Sequence, residues 1–398
     1  MIKSPHPFPA RMAPELAIAA LEGIGENATI LDPMSGSGVV VRQAIERGHT
    51  AIGYDLDPLA VLMTKVWSTH VPSGALTQYC DELINVARNS DRGLDDLPWA
   101  CEKTKDFMEF WFAEPQRSQL AKIAWHLNDI ESRRLRRRER DLLDVLRLCL
   151  SRTIITKSGG ASLASDTSHS RPHRTRAGSE YDVFWGLRDA AVKVERICNL
   201  VPKAATFTVR HGDARDLRGV RSQSIDAIVT SPPYLNAIDY MRGHKLALVW
   251  LGHAIGSLSQ IRSHSIGAEK SIDPPLSRRE IDGIRAIMLD GDTLSSRQLG
   301  MIDRYICDLD RLASRCARVL KPSGKATYVV GNSCLKGTFV SNSDCMKALS
   351  EKHGLTLVDE SERKLPENRR YLPVGGSTAN PLQKRMRTET VLTFQKLA

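Results

Sequence analysis

Ala28-Thr29-Ile30-Leu31-Asp32-Pro33-Met34-Ser35-Gly36-Ser37-Gly38 runs from an apolar segment straight into a turn of small residues. The spacing predicts a strand over Ala28 to Leu31, a Gly/Ser-rich turn over Asp32 to Gly38, and an amphipathic helix through Arg47 that Gly48 caps. A second strand, Ala51 to Tyr54, follows at once. Strand, helix and strand of this length form a βαβ unit, whose parallel strands need a right-handed crossover and bury both sheet faces. The first half of a doubly wound α/β sheet is therefore expected to be in place by Asp55.

Outward from this unit the rhythm breaks and then returns. Between about Lys65 and Pro202 the apolar residues show helical periodicity (Phe107 to Ile130, Arg138 to Ile155) and little alternation. The expectation is a mainly helical insertion, residues 65–204, between two parts of one α/β domain, 1–64 and 205–398. Inside it, Ser158 to Ser179 is rich in Gly, Ser, Thr, His and Arg, with little to bury, and reads as a mobile loop. Strands are expected again at Phe207 to Arg210 and Ile225 to Thr230. A helix at Ile302 to Leu320 and a turn at Lys321 to Gly324 then lead to strands at Lys325 to Val330, Leu355 to Val358 and Glu389 to Phe394.

Composition narrows the class. The 398 residues carry a formal net charge of +10, which suits a polyanionic partner. The eight cysteines are scattered, with neither a C-x-x-C pair nor a His/Cys cluster at zinc spacing, so free thiols in a reducing cytoplasm are expected and no metal. The N-terminus lacks the apolar core of a signal peptide, and no run is apolar enough to span a bilayer.

The turn after the first strand lacks the G-x-G-x-x-G spacing, yet its glycines allow close backbone approach at the carboxyl end of a strand, where open α/β sheets bind ligands. A bare strand-to-helix turn would have the same sequence. Two acids favour a ligand: Asp55 ends the second strand where a ribose diol would lie, and Asp213 ends the next one. With Asp32 they make three carboxylates along one sheet edge, suited to an ammonium, a ribose and an adenine amine. Asp57 reads better as a helix N-cap. The candidate binding residues are thus Asp32, Pro33, Ser35, Gly36, Gly38, Asp55 and Asp213.

Ser231-Pro232-Pro233-Tyr234 follows the strand Ile225 to Thr230 directly, at the same edge. The bland alternative is a proline-terminated strand with a packing tyrosine. The turn and this tetrapeptide together resemble the S-adenosylmethionine loop and catalytic signature of the DNA amino-methyltransferase family. His6-Pro7-Phe8-Pro9-Ala10-Arg11-Met12 is similar to the segment that, in this family, lies beside the methionine end of the cofactor, which adds Phe8 and Pro9 to the candidates. The resemblance covers residues 1–64 and 205–398. It implies a Rossmann-like methyltransferase sheet of seven strands, the last antiparallel, with S-adenosylmethionine as cofactor.

The resemblance also implies the chemistry. Ser231 and a backbone carbonyl beside Pro232 would accept the two N–H groups of an exocyclic amine, while the prolines fix the backbone and Tyr234 offers a face to a flipped base. A serine at the first position points to cytosine N4, with adenine N6 as the alternative. Methylation of guanine N2 in RNA and a non-catalytic nucleic-acid-binding regulator are the other readings. Asn236, Asp239 and Tyr240 would border the base pocket, although Asp239 reads equally well as the cap of the following helix. Duplex DNA would be gripped by Arg171, Arg174 and Arg176, or by Arg369 and Arg370 in the long connection Arg363 to Arg387; the run Arg133 to Arg140 reads equally well as a solvated helix face. Because the chain ends on a core-like strand, target recognition is expected in the insertion.

Overall fold

The computed structural model describes residues 3–8, 11–156, 159–165, 172–235, 239–267, 276–289, 294–364 and 388–397. Its strands are β1 Thr29–Asp32, β2 Thr50–Asp55, β3 Phe207–His211, β4 Ile225–Thr230, β5 Leu320–Val330, β6 Ser333–Leu335, β7 Thr338–Val340, β8 Leu355–Lys364 and β9 Thr388–Lys396. Seven of them form one sheet in the order β3-β2-β1-β4-β5-β9-β8, while β6 and β7 pair separately. The sheet is parallel from β3 to β5, and β9 inserts antiparallel between β5 and β8. This is the expected α/β fold, closed by the expected antiparallel strand.

Alternation along the central strands explains why helices cover both faces. Ile30, Ala227 and Val229 belong to a core shared with Ala17, Val40 and Ala44, whereas Leu31 and Ile228 point into another core with Leu309, Leu312 and Met346. Each fully buried Leu, Ile, Val or Met among them stabilises the fold by about 1.5–3 kcal/mol relative to exposure. The winding direction reverses between β1 and β4, and the crevice at such a switch point is where open α/β sheets take their ligands.

The helical segment is built into the domain. Ala75–Arg88, Glu102–Trp111, Gln116–Ser132, Arg137–Ile154 and Val183–Cys198 are its long helices. They share one apolar core with Met241–Leu248 and with Pro58–Ser68, which packs on β2 and β3. The expected junction at Lys65 therefore falls inside the helix Pro58–Ser68. The periodic stretch from Phe107 to Ile130 is divided between two helices, because Pro115 has no N–H to give a continuing helix and disfavours helical backbone at the residue before it.

Three further boundaries differ from expectation. Ala161, Leu163 and Ala164, inside the stretch expected to be loose, are buried, and Leu163 N donates to the Trp111 carbonyl at 2.8 Å. Lys321 to Gly324 is no separate turn but a bulge within β5: Ile225 pairs with Leu320 and Ala227 with Lys325, and Ser323 takes φ +60°. The helix before it spans Ser296–Val319, starting where the Ser295 N–H and hydroxyl both donate to Gln298 Oε1. All eight cysteines are unpaired thiols. Among the described residues, no helix is long and apolar enough to cross a membrane.

Candidate active site

The carboxyl ends of β1, β2 and β4 open onto one cavity of about 790 Å³. Phe8, Asp32, Pro33, Ser35, Gly36, Asp55 and Asp213 line it, and so do Ser231, Pro232, Pro233 and Tyr234. Two motifs almost 200 residues apart in sequence meet because β1 and β4 are neighbours, with Ile30 opposite Ala227 and Leu31 opposite Ile228. Thr230 Oγ1 donates to Asp32 Oδ1 at 2.8 Å, tying the two strand ends together.

The loop after β1 is shaped by its glycines. Gly36 takes φ +50°, and a Cβ there would come within 3.3 Å of the Phe8 ring. Gly38 has another task from the expected one: it does not line the cavity, and a Cβ on it would lie 2.8 Å from Thr64 Cα with φ at +87°. It allows the helix Val39–Glu46 to start against the helix Pro58–Ser68. Gly38→Ala is expected to cost about 3 kcal/mol from left-handed strain plus overpacking. Denaturant unfolding measures this, and a loss below about 1 kcal/mol would show that Thr64 yields.

The acids sit in contrasting surroundings. Asp32 is buried, and Thr230 and Met34 both donate to its Oδ1, leaving Oδ2 with no protein donor among the described residues. Burial pushes its carboxyl up to about 7. Asp55 accepts Gly36 N at 2.8 Å and Asp57 N at 2.9 Å, and burial together with the Asp57 charge raises it to about 6. Asp57 caps the helix Pro58–Ser68 by accepting Leu59 N at 2.9 Å and pairs with His244. Burial would raise Asp57, but the adjacent His244 together with the backbone N–H groups of Leu59 and Ala60 draws the carboxyl down.

Asp213 is not an open acceptor of the kind expected. The buried Arg215 grips it at 2.6 Å and also pairs with Asp308 at 2.5 Å. Arg215 lies only two residues from Asp213 and could have been suspected from that spacing; Asp308, far along the chain, could not.

At the other end of the cavity, Ser231 Oγ donates to the Val329 carbonyl at 2.9 Å, so its lone pairs remain available as acceptors. Tyr305 OH donates to the Pro233 carbonyl at 3.0 Å, bracing the tetrapeptide from the helix Ser296–Val319. Tyr234 OH donates to Glu389 Oε1 at 3.2 Å, which ties the tetrapeptide to β9. Burial, then the Glu389 charge, holds the Tyr234 phenol above its ordinary range. Tyr240 stacks on Phe8 with centroids 5.1 Å apart and lies nearly parallel to His244 at 6.3 Å. Asp239 and Tyr240 also line the cavity. Glu389 and Tyr305 carry no motif that would have revealed them.

The remaining candidates are spread out. Arg174 lies over the Phe110 ring at 5.4 Å, and Arg176 donates to the Ala164 carbonyl at 3.3 Å; neither lines the cavity. Arg134, Arg136 and Arg138 of the basic run are exposed, and Arg133 pairs with Asp129. Pro9, Arg171, Asn236, Arg369 and Arg370 lie outside the described residues.

No protein-family model matches the chain. Over 410 aligned residues it is 22% identical to the type II methyltransferase M.MvaI of Kocuria varians, covering 95% of this chain and 86% of that protein. A solved structure of a Thermus thermophilus protein, assigned as a DNA modification methylase and complexed with S-adenosyl-L-methionine, is 17% identical over 47% of this chain. The TM-score is 0.25, and the chain spans about half of that structure, 52%. A TehB-like SAM-dependent methyltransferase of Corynebacterium glutamicum aligns over 97% of this chain and 89% of its own, at 10% identity and a TM-score of 0.31.

Proposed function

We propose that this chain is a DNA methyltransferase that moves a methyl group from S-adenosylmethionine to the exocyclic amine of a flipped base, cytosine N4 before adenine N6. One observation carries the proposal: the acid-lined glycine loop and Ser231-Pro232-Pro233-Tyr234 border the same cavity. The methyltransferase M.MvaI, aligned over nearly the whole chain, supports it.

The residues present fit this cofactor. Two carboxylates with raised proton affinity border the cavity, Asp32 buried and Asp55 half-buried, and a ligand bringing hydroxyl donors and an ammonium would stabilise their ionised forms. Asp55 would hold the ribose hydroxyls, Asp32 would face the ammonium, and Phe8 would flank the methionine end. The bound cofactor supplies an electrophilic methyl on a sulfonium.

The protein's task is to make a poor nucleophile competent. The lone pair of an exocyclic amine is delocalised into the ring. The Ser231 hydroxyl, already donating to Val329, accepts one amine N–H, and the Pro232 carbonyl accepts the other. Two acceptors below the ring plane favour pyramidal nitrogen and free the lone pair. The C–N bond forms as the methyl's bond to the sulfonium sulfur breaks, leaving a neutral thioether, and the surplus amine proton is lost to solvent. Tyr234, held by Glu389, gives the extruded base a stacking face.

Labelled methyl transfer to duplex DNA and to RNA of the same length tests the substrate class. Incorporation into DNA is expected; incorporation into RNA alone would overturn the proposal.

A further inference from the structure

Beside the main cavity lies a second notch of about 280 Å³, which shares Arg242 and Arg262 with it and adds Trp111, Pro172 and Lys245. Arg242 and Arg262 both pair with Asp239. Lys245 is half-buried, its ammonium lies over the Phe107 ring at 5.3 Å, and among the described residues it makes no ion pair. Burial and the two neighbouring guanidinium groups draw its proton affinity down against the pull of Asp239. A half-buried cation in cationic company is costly unless an anion joins it.

Trp111 in the wall of the notch, with Phe110 and Arg174 on the surface beside it, points to one kind of anion. Trp111 packs edge-on to Phe110 at 5.1 Å, Phe110 is 52% exposed, and Arg174 covers part of its ring. Aromatic faces interleaved with guanidinium and ammonium groups, continuous with a cavity for a single base, match a nucleotide chain better than a small free anion.

We infer that the notch binds a backbone phosphate of duplex DNA adjoining the nucleotide in the main cavity, with Lys245 and Arg262 as its grip and Trp111 as its side wall. The inference rests on the proposed function and adds to it the place where the flanking strand is held. The grip lies on the helices Met241–Leu248 and Ile255–Ser263, which follow the catalytic tetrapeptide, so holding the phosphate also orients the base.

Lys245→Gln in the full chain tests it, because Lys245 does not line the main cavity. Affinity for duplex DNA is titrated over a range of salt concentrations for the parent, Lys245→Gln and Lys245→Arg. Removing one phosphate-binding charge from the notch lowers DNA affinity about five-fold and reduces the slope of log affinity against log salt by about 0.9. The KM for DNA rises, S-adenosylmethionine affinity stays at the parental value, and Lys245→Arg restores the slope. If the parent methylates DNA but Lys245→Gln keeps its salt slope, the notch assignment is wrong and the proposed function stands. If the parent neither binds nor methylates DNA, both fall. A variant that loses affinity for inorganic phosphate but not for DNA also overturns the assignment.

Discussion

Ser231→Ala is expected to slow methyl transfer at least about 100-fold, the usual loss when one preorganised hydrogen-bonding group is removed from a reacting centre. S-adenosylmethionine affinity should stay within about three-fold of the parent, since the proposed cofactor contacts lie at β1 and β2. The hydroxyl is placed by its bond to the Val329 carbonyl, so the variant also leaves that carbonyl without its donor, and thermal unfolding measures this separately. Tyr234→Ala should be as damaging, because it removes the stacking face and the hydrogen bond to Glu389. Tyr234→Phe keeps the ring and should retain most of the rate. Single-turnover kinetics beside calorimetric cofactor titration separates the two effects. Parental turnover in Ser231→Ala would contradict the role given to the tetrapeptide.

Asp55→Asn is expected to weaken cofactor binding about 100-fold. The carboxylate both shapes the loop, by accepting Gly36 N and Asp57 N, and would accept two ribose hydroxyls; an amide forces a donor against one of these donors. The pH dependence provides a second test. Asp32 and Asp55 bind protons more tightly in the folded chain, at about 7 and about 6, than at their ordinary value of 3.8. Between about pH 4 and pH 7 the ligand-free folded state therefore holds more protons than the unfolded state, and these two groups contribute less stability as pH rises. A ligand carrying donors and a positive charge favours the ionised acids, so its affinity should rise from pH 5 to pH 8 with release of protons. Calorimetry in buffers of different ionisation enthalpy measures both, and affinity that fell over that range would count against these acids as the binding groups.

How much of the site is legible in the sequence follows from what is local. The glycine turn, Asp55 and Ser231-Pro232-Pro233-Tyr234 each announce themselves by residues close in sequence, and the alternation of Ile30 against Leu31 already implies a sheet buried on both faces. The groups that tune the site are non-local. Asp308 draws Arg215 across Asp213, Glu389 holds Tyr234 from the last strand, and His244 pairs with Asp57, each pair joined only by the fold. Gly38 misleads because sequence cannot tell a glycine that faces a ligand from one pressed against another helix. Arg174 stands out in the sequence as a cation, but its partner Phe110 is hidden in a helix that shows only its periodicity.

Mass spectrometry of nucleosides from duplex DNA incubated with the chain and S-adenosylmethionine tests the central claim most directly. The expected product is N4-methylcytosine, lost in Ser231→Ala. N6-methyladenine would keep the amine chemistry and correct the base, whereas DNA that carries neither product would contradict the account of the cavity as an amine-methylating site.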